Sequence, residues 1–227
     1  MNFIARLCIP VALAFTVTVQ AAAPGTALTD AEKKDLLARL DALKAKYPSL
    51  SARFTETRSS QLLREPARSE GTLAFKTPNK FRREVGGTSP SLTVSNGKVL
   101  WLYYPQFKDA QLFTLGQRAM FDDAMAALTA GLNFGQVETF YHLAATHDAD
   151  GGYRITLTPK KSNLKRIVKQ LVILLDRDLN VRRTDLTMPK GDEVVTHYTQ
   201  TKRDPLPDST FDFTPPADAR VTQPLGK

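Results

Sequence analysis

The sequence predicts a mainly β (α+β) protein, an antiparallel meander that curls toward a barrel and is accompanied by two amphipathic helices. Short runs with period-two alternation follow one another, with turn residues between them. Two other stretches carry apolar residues at helical spacing. The chain has 227 residues, and we expect residues 24–227 to form one domain. An apolar content of 42% is ample for a core and excludes a disordered chain.

Residues 1–23 have the pattern of a secretory signal peptide. Arg6 precedes an apolar run, and small residues follow it, with cleavage expected after Ala21 or Ala23. The run is too short to span a bilayer as a helix. The single cysteine, Cys8, lies inside this leader. We therefore expect a soluble chain exported to the periplasm, without a thiol, a disulfide or a lipid anchor.

The chain is basic, with a formal net charge of +8. Such a surface is either simply solvated or attracts anionic lipid headgroups or an acidic partner. Nucleic acid is not an expected partner of an exported chain.

The first helix is predicted to begin at Thr29, because Thr29 and Glu32 have the spacing of a capping box. It is predicted to end at Pro48, since the residue before a proline is displaced from the α region. Its apolar stripe consists of Leu36, Leu37, Leu40, Leu43 and Tyr47.

A second helix is predicted in the segment Ala119–Phe134, and it is expected to end at Gly131. Its apolar side would carry Met120, Phe121, Ala124, Met125 and Leu128. Ordinary core packing is one interpretation of this stripe. Because methionine side chains are flexible, the other is a surface that repacks around flexible ligands.

The strongest strand signal is a hairpin around Asn96-Gly97, for which we predict a two-residue primed turn. The outgoing strand is apolar on both faces, since Val99, Trp101 and Tyr103 alternate with Leu100, Leu102 and Tyr104. Something must cover its second face, and a helix, a second sheet and a ligand remain open. Further strands are predicted at Leu50–Thr55, Gly71–Phe75, Phe81–Val85, Gln111–Leu115, Gly152–Thr158, Ile167–Leu175, Asn180–Met188 and Glu193–Thr199.

Sequence motifs for catalysis are absent. The chain has no nucleophile elbow, phosphate-binding loop or dinucleotide-binding glycine pattern. His142 and His147 are spaced wrongly for two metal ligands on one helical face. We therefore expect no metal, no cofactor and no enzymatic activity.

Several stretches, in their order along the chain, carry a resemblance to a known family. They are Phe54-Thr-Glu, Gly71-Thr-Leu-Ala-Phe-Lys-Thr-Pro-Asn-Lys-Phe81, Val94-Ser-Asn-Gly-Lys-Val-Leu-Trp-Leu-Tyr-Tyr-Pro105, Leu157-Thr-Pro-Lys160, Asn163-Leu-Lys165 and Phe211-Asp-Phe-Thr-Pro-Pro216. With them, the chain resembles the periplasmic outer-membrane lipoprotein carriers of the LolA type.

The resemblance implies a curved, incomplete antiparallel barrel with amphipathic helices as a lid over an apolar cavity for acyl chains. Phe81 and Trp101 match aromatic positions on the concave side. The cavity residues expected on this basis are Phe54, Leu73, Phe75, Phe81, Val94, Trp101, Tyr103, Phe113, Met120, Met125 and Leu128, and the lid residues are Leu36, Leu40 and Leu43.

Two positions depart from the family pattern. Thr77 stands where relatives often carry an arginine that ties the sheet to the lid, and Arg83 stands where a cavity aromatic is common. Thr77 and Arg83 are therefore the candidate latch residues, and the cargo and the closing mechanism stay open.

The function implied by the resemblance is that of a monomeric periplasmic carrier that ferries acylated lipoproteins to the outer membrane. Its implied partners are an ATP-driven inner-membrane release complex and an outer-membrane receptor lipoprotein. Two alternatives stay open: a carrier of another envelope lipid or glycolipid, and a regulator that senses lipoproteins. An enzyme ranks last.

Overall fold

In a computed structural model, which describes residues 25–116, 134 and 137–224, the described strands form one open, curved sheet. The twelve strands lie in the order β12-β6-β5-β4-β3-β2-β1-β11-β10-β9-β8-β7. All neighbours pair antiparallel except β12 and β6, which are parallel. The mainly β, antiparallel prediction is confirmed.

The bounds of the described elements follow the turn residues in the sequence. The strands are β1 Ser49–Ser59, β2 Ala67–Lys76, β3 Lys80–Val85, β4 Ser91–Ser95, β5 Val99–Tyr104, β6 Asp109–Thr114, β7 Tyr141–His147, β8 Tyr153–Pro159, β9 Gln170–Leu175, β10 Val181–Thr187, β11 Glu193–Lys202 and β12 Arg220–Thr222. The helices are α1 Asp30–Lys46, α2 Val137–Phe140 and α3 Ser162–Lys165.

Helix α1 begins as predicted. The Glu32 backbone N–H donates to Thr29 Oγ1 at 3.3 Å, and the Thr29 N–H donates to Glu32 Oε2 at 2.8 Å, so each residue satisfies a free donor of the other. The helix ends at Lys46, two residues before Pro48. The predicted capping box and helix end are confirmed.

The β4–β5 hairpin is confirmed, but its turn is not the predicted two-residue type. Residues 96–98 form the loop, and Gly97 has a φ of 88°. Asn96 Oδ1 accepts the N–H groups of Lys98 and Val99 at 3.0 and 3.1 Å. These side-chain bonds turn the chain without a left-handed backbone at Asn96.

Two strands were not predicted. β7 has a weak apolar pattern, because alanines and histidines make up most of it. β12 has only three residues. β1 extends beyond its predicted end through a polar stretch, since β2 and β11 pair with it on both sides. Pairing with neighbouring strands, rather than the local sequence pattern, therefore determines that β7 and β12 form and how far β1 extends.

The closed core lies under one half of the sheet, between α1 and β7–β9. Leu36 and Leu40 of α1 meet Ile155 and Leu157 of β8 and Ile173 of β9 there. Among the described residues, no helix is long and apolar enough to cross a membrane.

The convex side of β5 is covered by the irregular C-terminal segment, residues 204–216. The ring of Phe213 lies 5.9 Å from that of Trp101 and 5.4 Å from that of Tyr103. The Arg82 guanidinium donates to the carbonyl oxygens of Thr210 and Asp212 at 3.3 and 3.4 Å. The second apolar face of β5 is therefore covered by the chain's own tail.

Candidate functional site

An apolar cavity of about 510 Å³ opens on the concave side of the sheet. This volume lies within the range of small-molecule binding sites. The cavity is bounded by the C-terminal half of α1 and by side chains of β1–β5, β7 and β9–β11. It lies beside the closed core, so the two share one continuous concave surface.

One wall of the cavity consists of alternate residues on neighbouring strands. Because side chains of a strand point to opposite faces in turn, Phe54 of β1, Leu73 and Phe75 of β2 and Phe81 of β3 come to the same face. Phe54, Leu73 and Phe75 are buried, and Phe81 is half-buried. The wall offers aromatic and aliphatic surface without a backbone donor or acceptor of its own, since strand pairing satisfies the backbone.

Helix α1 closes one end of the cavity. Leu40 and Leu43 from its apolar stripe line the cavity, together with Tyr47 at its C-cap and Leu50 at the start of β1. The backbone N–H of Thr77 donates to the carbonyl oxygen of Pro48 at 2.8 Å. Thr77 therefore ties β2 to the segment that follows the helix, through its backbone.

The opposite wall was missed by the sequence reasoning. It contains Leu171 of β9, Val181 and Leu186 of β10, and Val194 of β11. These strands were predicted, but the alternation of β10 is broken by charged residues. One feature of the sequence could have indicated this wall: Leu186 and Val194 flank a hairpin turn and pair with each other across it.

A charged pair lies inside this apolar cavity. Arg83 Nη2 donates to Glu56 Oε2 at 2.6 Å, and both side chains line the cavity. Their side chains are 27% and 21% exposed. The guanidinium carbon of Arg83 also lies 4.4 Å from the centre of the Phe54 ring, a cation–π contact.

Glycine at position 71 makes room for this arrangement. Gly71 sits on β2 between Phe54 of β1 and Val85 of β3. A Cβ there would lie 1.9 Å from the Glu84 carbonyl oxygen and 2.7 Å from Phe54 Cζ. A side chain at this position would collide with the ring on which Arg83 stacks, so glycine lets Phe54 keep its place.

Hydroxyl groups surround the pair. Thr196, which is buried, donates to Glu56 Oε2 at 3.2 Å, and the hydroxyls of Thr184 and Tyr198 lie 3.3 Å apart. Burial raises the pKa of Tyr198, and the hydrogen bond with Thr184 opposes that shift. All three hydroxyl residues line the cavity.

Tyr141 brings an unpartnered hydroxyl to the cavity wall. The residue is 1% exposed, and no other group of the described chain hydrogen-bonds its oxygen. Burial raises the pKa of Tyr141 to about 12. The phenol therefore stays protonated, and it is a free donor beside the cavity.

The structure brings together part of the predicted set. The predicted residues that line the cavity are Phe54, Leu73, Phe75, Phe81, Leu40, Leu43, Thr77 and Arg83. Leu36 is buried in the closed core instead. Phe113 pairs with the cavity residue Leu100 on β5 but is not itself part of the lining. Met120, Met125, Leu128 and the predicted second helix up to its expected end at Gly131 lie outside the described residues. Phe134, which ends the same segment, is buried and lines the cavity.

Three predicted cavity residues face the other way. Val94, Trp101 and Tyr103 do not line the cavity; Trp101 pairs with Val94, and both Trp101 and Tyr103 contact Phe213 on the convex side. The intervening residues Leu100 and Leu102 line the cavity. This placement corrects the prediction: both faces of β5 are apolar, so alternation alone could not say which is concave.

Within the ranges that the structure describes, no group of three or more His, Cys, Asp or Glu side chains is arranged to hold a metal ion.

Comparison with known proteins gives a consistent picture. The family profile described as outer membrane lipoprotein carrier protein LolA matches residues 45–214. An outer-membrane lipoprotein carrier protein of Dechloromonas aromatica is 30% identical over 174 residues, which cover 76% of this chain and 80% of that protein. One of Bordetella pertussis is 30% identical over 212 residues, 92% of this chain and 93% of that protein.

A solved structure shares the fold. An uncharacterised conserved protein from Thermus thermophilus superposes with a TM-score of 0.52 at 13% identity, covering 85% of this chain and 99% of that one.

Proposed function

Since this chain belongs to the family of outer-membrane lipoprotein carrier proteins, we propose that its cavity holds the acyl chains of lipoproteins on their way to the outer membrane. The observation that carries the proposal is the cavity itself, an apolar concave surface that the chain leaves unfilled by its described side chains. Acyl chains are long, flexible and without charge, and they suit such a surface.

The energetics explain why a carrier is needed. Each buried CH₂ group contributes about 0.8 kcal/mol to membrane anchoring, so two or three acyl chains are held by tens of kcal/mol. The carrier must offer comparable apolar surface, and another component must supply the work of extraction. The sequence contains no nucleotide-binding loop. We infer that this work comes from an ATP-driven release complex in the inner membrane.

We further infer a direction and a place of transport. Residues 1–23 would direct export, and the carrier would act in the periplasm as one domain over residues 24–227. Delivery requires an acceptor with higher affinity for the lipid, which we assign to a receptor lipoprotein at the outer membrane. Neither transfer step requires a covalent reaction by this chain.

The cavity is entered beside α1. Leu40, Leu43 and Tyr47 form the end wall that helix movement would displace, and the exposed part of Tyr47 marks this edge. Opening would expose the wall formed by Phe54, Phe75 and Phe81 to an incoming chain.

The test is competition for the cavity. A fluorescent acyl probe should bind the purified mature chain, and a triacylated lipoprotein should displace it at low micromolar concentration. Displacement by a glycolipid or phospholipid but not by the lipoprotein would replace the proposed cargo. Absence of probe binding would contradict the proposal as a whole.

A charge placed in the cavity should weaken binding. Phe81→Glu puts a carboxylate on the apolar wall, where burying it is costly, so we expect at least a tenfold loss of probe affinity. Phe107→Glu is the matched control, because Phe107 is 77% exposed and does not line the cavity. Full lipoprotein capture by Phe81→Glu would count against the assigned wall.

A further inference from the structure

We propose that Glu56 and Arg83 form a polar subsite within the apolar cavity that binds the carbonyl oxygen of an ester or amide linkage in the lipid. The inference rests on the proposed function, because it needs a lipid in the cavity. It goes beyond that function by assigning a chemical group of the lipid to named residues.

The first step is the position of the pair. Along β1 the cavity-facing residues run from Leu50 through Ala52 and Phe54 to Glu56, so polarity appears only at the end away from α1. Arg83 reaches Glu56 from β3, across the intervening strand β2. An acyl chain lying along β1 would therefore pass three apolar side chains and meet a charged one at Glu56.

The second step is the balance of donors and acceptors. Glu56 Oε2 already accepts from Arg83 at 2.6 Å and from Thr196 at 3.2 Å. A guanidinium carries five N–H donors. In the part of the chain that the structure describes, the hydrogen bonds of Arg83 reach Glu56 alone. The pair therefore offers unused donors, and the group that complements it is an acceptor.

The third step is charge. Arg83 and Glu56 balance each other, so a neutral acceptor can approach without an uncompensated charge in the cavity. A free carboxylate would instead lie beside Glu56, and two like charges at short range repel in a medium of low dielectric constant. A carbonyl oxygen is favoured over a fatty-acid anion on this ground.

The fourth step is the cost of a ligand without an acceptor. Such a ligand displaces water from Arg83 and leaves its N–H groups unpaired in an apolar surrounding, which costs free energy. Sites built around a hydrogen bond discriminate strongly against analogues that lack the partner. The pair should therefore select lipids by their linkage and not only by chain length.

The experiment compares two lipids that differ in a single carbonyl. 1-Dodecanoyl glycerol has an ester, and 1-O-dodecyl glycerol has an ether with the same chain and headgroup. Each displaces the fluorescent acyl probe from the purified mature chain. We expect the ester to bind about tenfold more tightly than the ether, the effect of roughly one hydrogen bond to a charged group. Sodium dodecanoate at pH 8 should bind more weakly than the ester.

The variant that tests the assignment removes both partners. Glu56→Leu with Arg83→Leu should bind ester and ether equally, and replacing a buried ion pair by apolar side chains generally preserves the fold. The matched control is Arg183→Leu with Asp185→Leu. That pair also joins at 2.6 Å, with similar exposure, but does not line the cavity, because it flanks the cavity residue Thr184 on β10. The control should keep the preference.

The outcomes separate this inference from the proposed function. Equal binding of ester and ether by the natural chain, or a preference that survives the double substitution, would overturn the subsite and leave the carrier intact. Failure of both glycerol lipids and of the probe to bind would overturn the carrier. If the double variant does not fold, Arg83→Lys serves instead: it keeps the charge but loses the planar fork, and the preference should shrink.

Discussion

Trp101 shows which face of β5 is convex. It is the single tryptophan, and its ring packs edge-on against Phe213 on the convex side. We expect lipid binding to leave the tryptophan emission maximum unchanged, because Trp101 does not line the cavity and packs against Phe213 on the opposite face of the sheet. Titration with 1-dodecanoyl glycerol, followed by intrinsic fluorescence, measures this. Phe213→Ala is the positive control and should shift the emission; a shift on lipid binding would place Trp101 at the cavity.

Tyr141 carries a second prediction at this scale. Burying a hydroxyl without a partner costs free energy, so Tyr141→Phe should raise the free energy of unfolding by about 1 kcal/mol near neutral pH. The folded-state pKa of about 12 lies above the ordinary value of 10. The natural chain should therefore lose stability as pH rises from 10 to 12, and the variant should lose less, because Tyr198, whose pKa burial also raises, still contributes. Urea unfolding at several pH values tests both; a destabilised variant would mean that the hydroxyl has a partner.

Sequence alternation predicts residues well only where one face is polar. Phe54, Leu73 and Phe75 alternate with polar or small neighbours, and the structure places them in the cavity. Trp101 and Leu102 lie on a strand with two apolar faces, and the local pattern cannot tell which of the two faces the cavity. Arg83 was identified by its departure from a family pattern, but its partner Glu56 is 27 residues away and no local signal joins them.

The C-terminal segment is an element held by charge as well as by rings. The carboxylate of Asp208 bonds Lys76 Nζ at 2.7 Å and Lys80 Nζ at 2.6 Å. These hydrogen bonds lower the pKa of Asp208 to about 2. Lys76 Nζ also donates to the Leu206 carbonyl oxygen at 2.8 Å, so the ends of β2 and β3 fix the start of the segment.

Stability should follow the charge of Asp208. The folded-state pKa of about 2 lies below the ordinary 3.8, so the stabilisation is complete above pH 4 and is lost as pH falls toward 2. Asp208→Asn should have a lower melting temperature at pH 6, and the difference should close near pH 2. Asp218→Asn is a partial control, because one lysine, Lys108, pairs with that carboxylate at 2.7 Å, whereas two lysines pair with Asp208. A constant difference from pH 6 to pH 2 would contradict the assignment.

Elements are predictable where their signals are local. The capping box and Pro48 define α1, and the Asn96-Gly97 pair marks the β4–β5 hairpin. β7 and β12 are not predicted from the sequence, because their residues form strands only by pairing with β8 and β6. The position of the C-terminal segment is also not predictable from the sequence. Apart from the short 3-10 helix at Asp208–Phe211, it has no regular structure that would give a periodic pattern of apolar residues.

At the scale of the whole molecule, one part of the concave surface forms the closed core and another part lines the cavity. Under α1, the side chains of β7–β9 meet those of the helix and form a closed core, whereas β1–β3 present their inward side chains to an open cavity. Composition tells how much apolar surface a chain has, but not how it is divided. That division depends on the curvature of the sheet and on where α1 lies, which are properties of distant pairings.

This division predicts where a ligand acts. Strands β1–β3 gain apolar contacts when a lipid fills the cavity, whereas β8 already packs against the closed core. Amide hydrogen exchange at short times, which reports local opening, should therefore slow in β1–β3 and in the last turn of α1 on addition of 1-dodecanoyl glycerol, and should not change in β8. The Phe81→Glu variant should show no slowing with the same lipid. Equal slowing of β8 and β2 would mean that the lipid stabilises the fold as one unit, and that the cavity and the core do not open separately.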